Sequence, residues 1–242
     1  LAGTPMEINV YESNVRYDEL YHELMEIKGL AEAKGRYFDV QSFGKSTDGR
    51  DQWYAVVSDS AESVESFKKM NAQAQSDPEA VLEAIEGGMD YRMPIMMNNC
   101  HPDEAGGVDA HTNLLRTLAT EDTVTWNTIT GLTGGKQVDM GMYDPKIVDF
   151  ALESDDGGTE HTINGNGNDG RTDASEYYTF SEDKQMSVDE ILDNLIIIVV
   201  PDENPDGRTY NTRPNGNGFD LNRDASNQTQ AETSNIARLI CQ

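Results

Sequence analysis

The chain has 242 residues, a net charge of -26 from 44 acidic and 18 basic side chains, and 36% hydrophobic residues. That length can build one large domain with a proper core, and the acidic excess argues against nucleic-acid binding, whose affinity rests on Lys and Arg neutralising phosphates. No stretch approaches the roughly 20 apolar residues of a membrane span, and Cys100 and Cys241, the two cysteines, make no disulfide framework.

Residues 17–28 carry Tyr17, Leu20, Tyr21, Leu24 and Ile27 at helical spacing, which predicts an amphipathic helix. Two strands follow, Tyr37 to Phe43 and Gln52 to Ser58, joined as a hairpin by Gly44-Lys45-Ser46-Thr47-Asp48-Gly49-Arg50. Gly44-Lys45-Ser46 lacks the upstream glycine and the following helix of a phosphate-binding loop, so that reading is set aside. Residues 60–87 read as helix with a break at Ser76-Asp77-Pro78, where proline suits the first turn of a second helix, and Gly87-Gly88 ends it. A strand from Met93 to Asn98 leads to His101, and Val108, Leu114, Leu115 and Leu118 suit a buried helix face. Val124 to Thr130 reads as a strand, and Asp155 to Asp173 as loop. Within that loop, Asn164 to Asp173 misses the register of the twelve-residue calcium loop, so a solvated turn is expected there. Ser187 and Glu190 have capping-box spacing at the start of a helix over Val188 to Asn194. Leu195 to Val200 is a continuous apolar run, as in a central strand covered on both faces, and the last helix runs from about Gln230 to Ile240. Strands alternating with helices predict a three-layer α/β domain. Cys100, at the end of a buried strand, is expected to be a free buried thiol.

Chemistry gathers in two places. His101-Pro102-Asp103-Glu104 directly follows the apolar run Met93 to Met97, and a short loop after a strand can aim an imidazole and a carboxylate at one metal. The second place is Asn204-Pro205-Asp206-Gly207-Arg208, then Arg213, then Asp220-Leu221-Asn222-Arg223. Arg223 can hold a carboxylate in a bidentate fork, Asn222 can donate from its amide, and Arg213 can stabilise the oxyanion formed when water attacks a carbonyl. Plainer readings stand beside these: a surface His–Glu pair, a simple turn, and surface salt bridges in an acidic chain. Together the segments point to metal-assisted hydrolysis of a compound with a free carboxylate.

HPDE at 101–104, NPDGR at 204–208, TRPNGNGFDLNRD at 212–224 and QAET at 230–233 closely resemble the zinc metallocarboxypeptidases of the carboxypeptidase A type. SFGKSTDGRDQWYAVVSD at 42–59 is similar to that family's early hairpin. The resemblance implies a three-layer α/β/α fold with a mixed, mostly parallel sheet, here a single peptidase-like domain over residues 1–242 that is incomplete at its C-terminal end. It implies His101 and Glu104 as two ligands of one zinc ion, Arg213 as the residue that polarises the scissile carbonyl, and Asn222 and Arg223 as the grip on the substrate's terminal carboxylate. Asp206, Glu232 and the glycines are expected to support the architecture. The implied partner is a peptide with a free C-terminal carboxylate, and the implied location is secreted or at the cell surface. No signal peptide is visible, but Leu1 is not a native start, so an upstream one is compatible with the sequence.

The family's third zinc ligand, its general-base glutamate and a substrate-capping tyrosine lie beyond the position matching Gln242. The expectation is therefore the front part of a longer enzyme, with little or no activity in this portion alone. His111, seven residues after Glu104, is the nearest substitute ligand in sequence; His22 and His161 are the others. Two competing functions are a metal-dependent deacylase of N-acyl amino acids and a non-catalytic carboxylate-binding module.

Overall fold

A computed structural model describes residues 14–132 and 178–241. They form two compact units, one running to Asp122 and resuming at Val188, the other Thr123–Ser187. In the smaller unit, β4 (Thr123–Leu132) pairs antiparallel with β5 (Tyr178–Ser187). The larger unit holds both chemical segments.

It opens with α1 (Tyr17–Ala33), longer than the periodic stretch predicted, because Ala31 continues the buried stripe of Leu20, Leu24 and Ile27. Asp18 and Glu19 lie in its first turn, where carboxylates complement the helix dipole, and the Arg16 backbone N–H donates to Glu19 at 3.1 Å. Tyr21 lies outside the stripe; its ring sits 4.4 Å from that of Trp53. The hairpin forms as predicted, from β1 (Tyr37–Lys45) and β2 (Asp51–Ser58), with a register shift between Ser42 and Gly44. The predicted helix break separates α2 (Ala61–Ala74) from α3 (Pro78–Glu86). Ser60 caps the first, accepting from Ser63 N at 3.2 Å. Asp77 caps the second, accepting from Ala80 N at 3.1 Å, with Pro78 in the first turn. Then come β3 (Met93–Asn98) and α4 (Ala105–Thr120), and, beyond the smaller unit, α5 (Val188–Asn194), β6 (Leu195–Val200), α6 (Pro205–Tyr210), a 3-10 turn (Leu221–Arg223) and α7 (Ala231–Ile240).

The sheet order is β1-β2-β6-β3. β6 takes the interior position its apolar run predicts, antiparallel to β2 and parallel to β3. The sheet is mixed; one pairing of the three among its described strands is parallel, a smaller share than expected. The reason is local: the tight β1–β2 turn forces an antiparallel pair, and β2 then borders β6 in the opposite sense. One face presents Phe38, Ala55, Val57, Ile197 and Val199, all buried, with α1 and α4 packed over it. The other presents Val56, Ile196 and Ile198 to Val64 and Phe67 of α2. The described unit is thus helix, sheet, helix.

This topology positions the chemistry. Parallel pairing sets Asn98 opposite Val200, so the loops after β3 and β6 leave the sheet side by side. Backbone bonds tie them together, from Asn99 N to Val200 O at 3.1 Å and from Glu203 N to Asn99 O at 3.0 Å. Because β2 is antiparallel to β6, the hairpin turn 46–50 arrives at the same edge. Among the described residues, no helix is long and apolar enough to cross a membrane.

Candidate functional site

His101 and Arg213, 112 residues apart in sequence, meet at this edge: His101 Nε2 lies 2.6 Å from Arg213 Nη2. His101 Nδ1 lies 2.9 Å from Glu104 Oε1. A guanidinium has no acceptor, so Nε2 carries the lone pair and Nδ1 carries the proton it donates to Glu104. The ring is therefore held at both nitrogens. Arg213 Nη1 stands 3.7 Å from Glu104 Oε1, and its Nε donates to Asp220 Oδ2 at 2.9 Å. Its hydrogen bond to Asp220 raises the guanidinium pKa, and the same bond holds the Asp220 carboxyl below the usual carboxylate range.

Three of the expected site residues, His101, Glu104 and Arg213, are thus brought together. Asn222 and Arg223 occupy the neighbouring 3-10 turn and are exposed. Arg223 Nη1 donates only to the Asn222 carbonyl, at 3.3 Å, among the described residues, so the outer part of its guanidinium fork faces outward and can take a ligand.

The scaffold beneath explains why the two segments meet. Pro102 packs directly on Gly207: a Cβ on Gly207 would lie 2.5 Å from Pro102 Cγ and 2.6 Å from the Thr212 carbonyl oxygen. Any side chain there would push the His101 loop away. Asn204, fully buried, accepts from Gly207 N at 3.0 Å to cap α6 and donates to the Arg213 carbonyl at 3.2 Å. Asp206, also fully buried, accepts from Ser46 Oγ (2.6 Å), Asp48 N (3.0 Å) and Arg50 Nη1 (2.8 Å). Glu232, on α7, accepts from Thr47 N (2.8 Å) and Asn215 Nδ2 (3.0 Å). Two buried carboxylates thus lock the hairpin turn to the arginine-bearing loops, as expected for residues that support the architecture. Buried charges persist where donors compensate their desolvation.

Behind the site, Glu203 is buried and accepts from Asn98 Nδ2; its carboxyl is pushed up chiefly by burial. Cys100 is a free thiol but only half-buried. Burial, then the charges of Glu203 and Asp220, push it up to about 12, so it is an inert thiol rather than a nucleophile.

Imidazole nitrogen and carboxylate oxygen are donors that zinc accepts, and a catalytic zinc takes three protein ligands. His101 and Glu104 fit two of those places. No group of three His, Cys, Asp or Glu side chains converges among the described residues. His111 is not drawn in: it is half-buried on α4, and burial lowers its pKa. His22 is exposed on α1, and His161 and the loop 164–173 lie outside the described residues.

Sequence reasoning assigned no role to two residues that organise this site. Asp220 carried a readable signal, since Asp two positions before Asn has the spacing of a side chain that bonds its own backbone two residues on. Asn204 had none beyond its turn chemistry, because its bond to Arg213 depends on the path of the intervening loop.

No protein-family model matches the chain, and no curated sequence does. Its structure is similar to that of the carboxypeptidase A from Helicoverpa armigera, with 15% identity, a TM-score of 0.47, and coverage of 94% of this chain and 42% of that one. It is also similar to a metallo-carboxypeptidase from Burkholderia cenocepacia, with 14% identity, a TM-score of 0.46, and coverage of 92% and 37%. The chain spans between 35% and 42% of the length of the carboxypeptidase structures it matches.

Proposed function

We propose that this chain is part of a secreted zinc metallocarboxypeptidase that removes C-terminal residues from peptides. The observation that carries the reading is the meeting of His101, Glu104 and Arg213 within hydrogen-bond distance at the edge where the loops after β3 and β6 emerge. His101 and Glu104 would hold the zinc, together with a ligand outside the described residues; bound there, zinc lowers the pKa of a water and polarises a carbonyl. Arg223 receives the substrate's terminal carboxylate in its exposed fork, and Asn222 donates to it from the amide. The grip on the chain end selects the last peptide bond, because the reacting carbonyl must lie one residue inward. Arg213 keeps Nη hydrogens that can donate to that carbonyl oxygen, where negative charge develops in the transition state. Nε, tied to Asp220, keeps the guanidinium oriented while they do so.

The test is release of C-terminal residues from short peptides by the longer enzyme this reading proposes, with and without a chelator, as wild type, His101→Ala and Arg223→Ala. Chelator-sensitive release that His101→Ala abolishes is expected, and Arg223→Ala should raise KM. Chelator-insensitive release, or full activity in His101→Ala, refutes the proposal. One observation favours a second reading, a carboxylate-binding module without hydrolysis: Arg213 already takes the lone pair of His101 Nε2. Calorimetry separates the two, since tight one-to-one zinc binding contradicts the second. A deacylase would prefer N-acyl amino acids over peptides in the same release assay.

A further inference from the structure

We propose that Asp220 is the positioning residue that couples the oxyanion arginine to the carboxylate grip, an inference that rests on the reading of Arg213, Asn222 and Arg223 above. Its two carboxylate oxygens do different things. Oδ2 accepts from Arg213 Nε at 2.9 Å; Oδ1 accepts from the backbone N–H of Asn222 at 3.0 Å. Its own carbonyl accepts from Arg223 N at 2.9 Å. One residue therefore fixes the inner edge of one guanidinium and the turn that carries the other.

An unanchored arginine side chain samples many rotamers, and ordering it on binding opposes affinity. Arg213 is about one-third exposed, so packing alone does not hold it. Asp220 binds the Nε–H, which a planar fork aimed at a carbonyl does not need, and leaves Nη hydrogens for the ligand. Asn204 secures the backbone of the same residue through the Arg213 carbonyl. Arg213 is thereby held at both ends before any ligand arrives, the preorganisation that electrostatic catalysis requires. The shared carboxylate also sets the spacing between the group that meets the carbonyl and the group that meets the chain end. That spacing favours ligands whose carboxylate lies one residue from an amide.

Asp220→Asn separates the two tasks. The amide oxygen can still accept from Asn222 N, but its NH2 group meets Arg213 Nε–H donor to donor. The experiment uses nitrogen-15-labelled protein and follows solvent exchange of the arginine Nε–H groups, with Arg223 as the exposed internal reference. Arg213 Nε–H should exchange more than tenfold slower than that of Arg223 in the wild type. Asp220→Asn should abolish the difference while the Asn222 backbone signal keeps its position, and Asp220→Glu should restore part of the protection. In parallel, an N-acyl amino acid is titrated against its carboxamide counterpart. Asp220→Asn should weaken binding of the acid about tenfold and leave the carboxamide's weak binding unchanged. Equal Arg213 and Arg223 exchange in the wild type overturns the proposal, even if the variant does not fold; so does unchanged Arg213 protection or unchanged acid affinity in a folded Asp220→Asn. Failure of the wild type to distinguish acid from carboxamide refutes the carboxylate grip instead, and the exchange comparison still decides the role of Asp220.

Discussion

Replacing Asp202 with Asn should stabilise the protein at neutral pH and cost nothing in acid. Asp202 follows β6 and is 2% exposed. Its Oδ1 accepts from Asn204 N at 3.1 Å, and its Oδ2 meets no donor among the described residues. Burial above all, reinforced by the charges of Glu203 and Asp206, raises its carboxyl from 3.8 to about 7, against the opposing pull of the Asn204 bond and the Arg208 charge. A gap of roughly three pH units at about 1.4 kcal/mol each amounts to ~4 kcal/mol. The sign follows from proton counting. Between about pH 4 and 7 the folded chain keeps a proton that the unfolded chain has lost, so stability falls as pH rises through that window and levels off above it. Asp202→Asn stays neutral throughout and keeps the Oδ1 acceptor. Its stability relative to wild type should therefore rise by ~4 kcal/mol from about pH 4 to about pH 8. Urea denaturation followed by far-UV circular dichroism at half-unit pH steps measures this. Taking the difference between the two proteins cancels the titration of Asp224, which does not act on Asp202. A difference that stays flat within about 1 kcal/mol across the window refutes the argument.

Asp206→Ala removes three bonds to a buried carboxylate and leaves Arg50 only Asp48 and Tyr210; it should cost roughly 3 kcal/mol in urea denaturation, and a loss below about 1 kcal/mol would contradict the role assigned to it. Gly207→Ala forces a Cβ to 2.5 Å from Pro102 Cγ and should destabilise by about 1–3 kcal/mol while shifting the backbone NMR signals of His101 and Arg213. Burial alone would raise the Asp224 carboxyl, but bonds from Thr229, Thr233 and the Gln230 backbone outweigh it and bring it to about 2. Its contribution should be fully present above the unfolded value and lost as pH falls through about 2. Asp224→Asn should thus be less stable than wild type at neutral pH and converge with it in strong acid, as thermal melts across pH would show. Zinc titration by calorimetry should give heat with the wild type and none with His101→Ala.

Most elements were legible because their signals are local, while β5, α6 and the 3-10 turn were not predicted. Leu195 to Val200 reads as an interior strand from its uninterrupted apolar run, and Ser76-Asp77-Pro78 reads as a helix break from proline and cap chemistry. His101, Glu104, Arg213, Asn222 and Arg223 were legible as candidates because imidazole, carboxylate and guanidinium have few uses together after buried strands. How these residues combine was not legible. The bond from His101 to Arg213 depends on β3 and β6 pairing in parallel, a choice made by strands far apart in the chain. The absence of a side chain at Gly207 matters only once Pro102 lies against it. Asp220 and Asp202 have the same side chain, yet one is a partly exposed anchor held below the usual range and the other a buried carboxyl raised to about 7. Residue type and short-range spacing therefore determined the elements and the chemical repertoire. Tertiary structure decided partners, burial and ionisation, because those depend on what the fold brings within about 3 Å of each group and on how much water it removes.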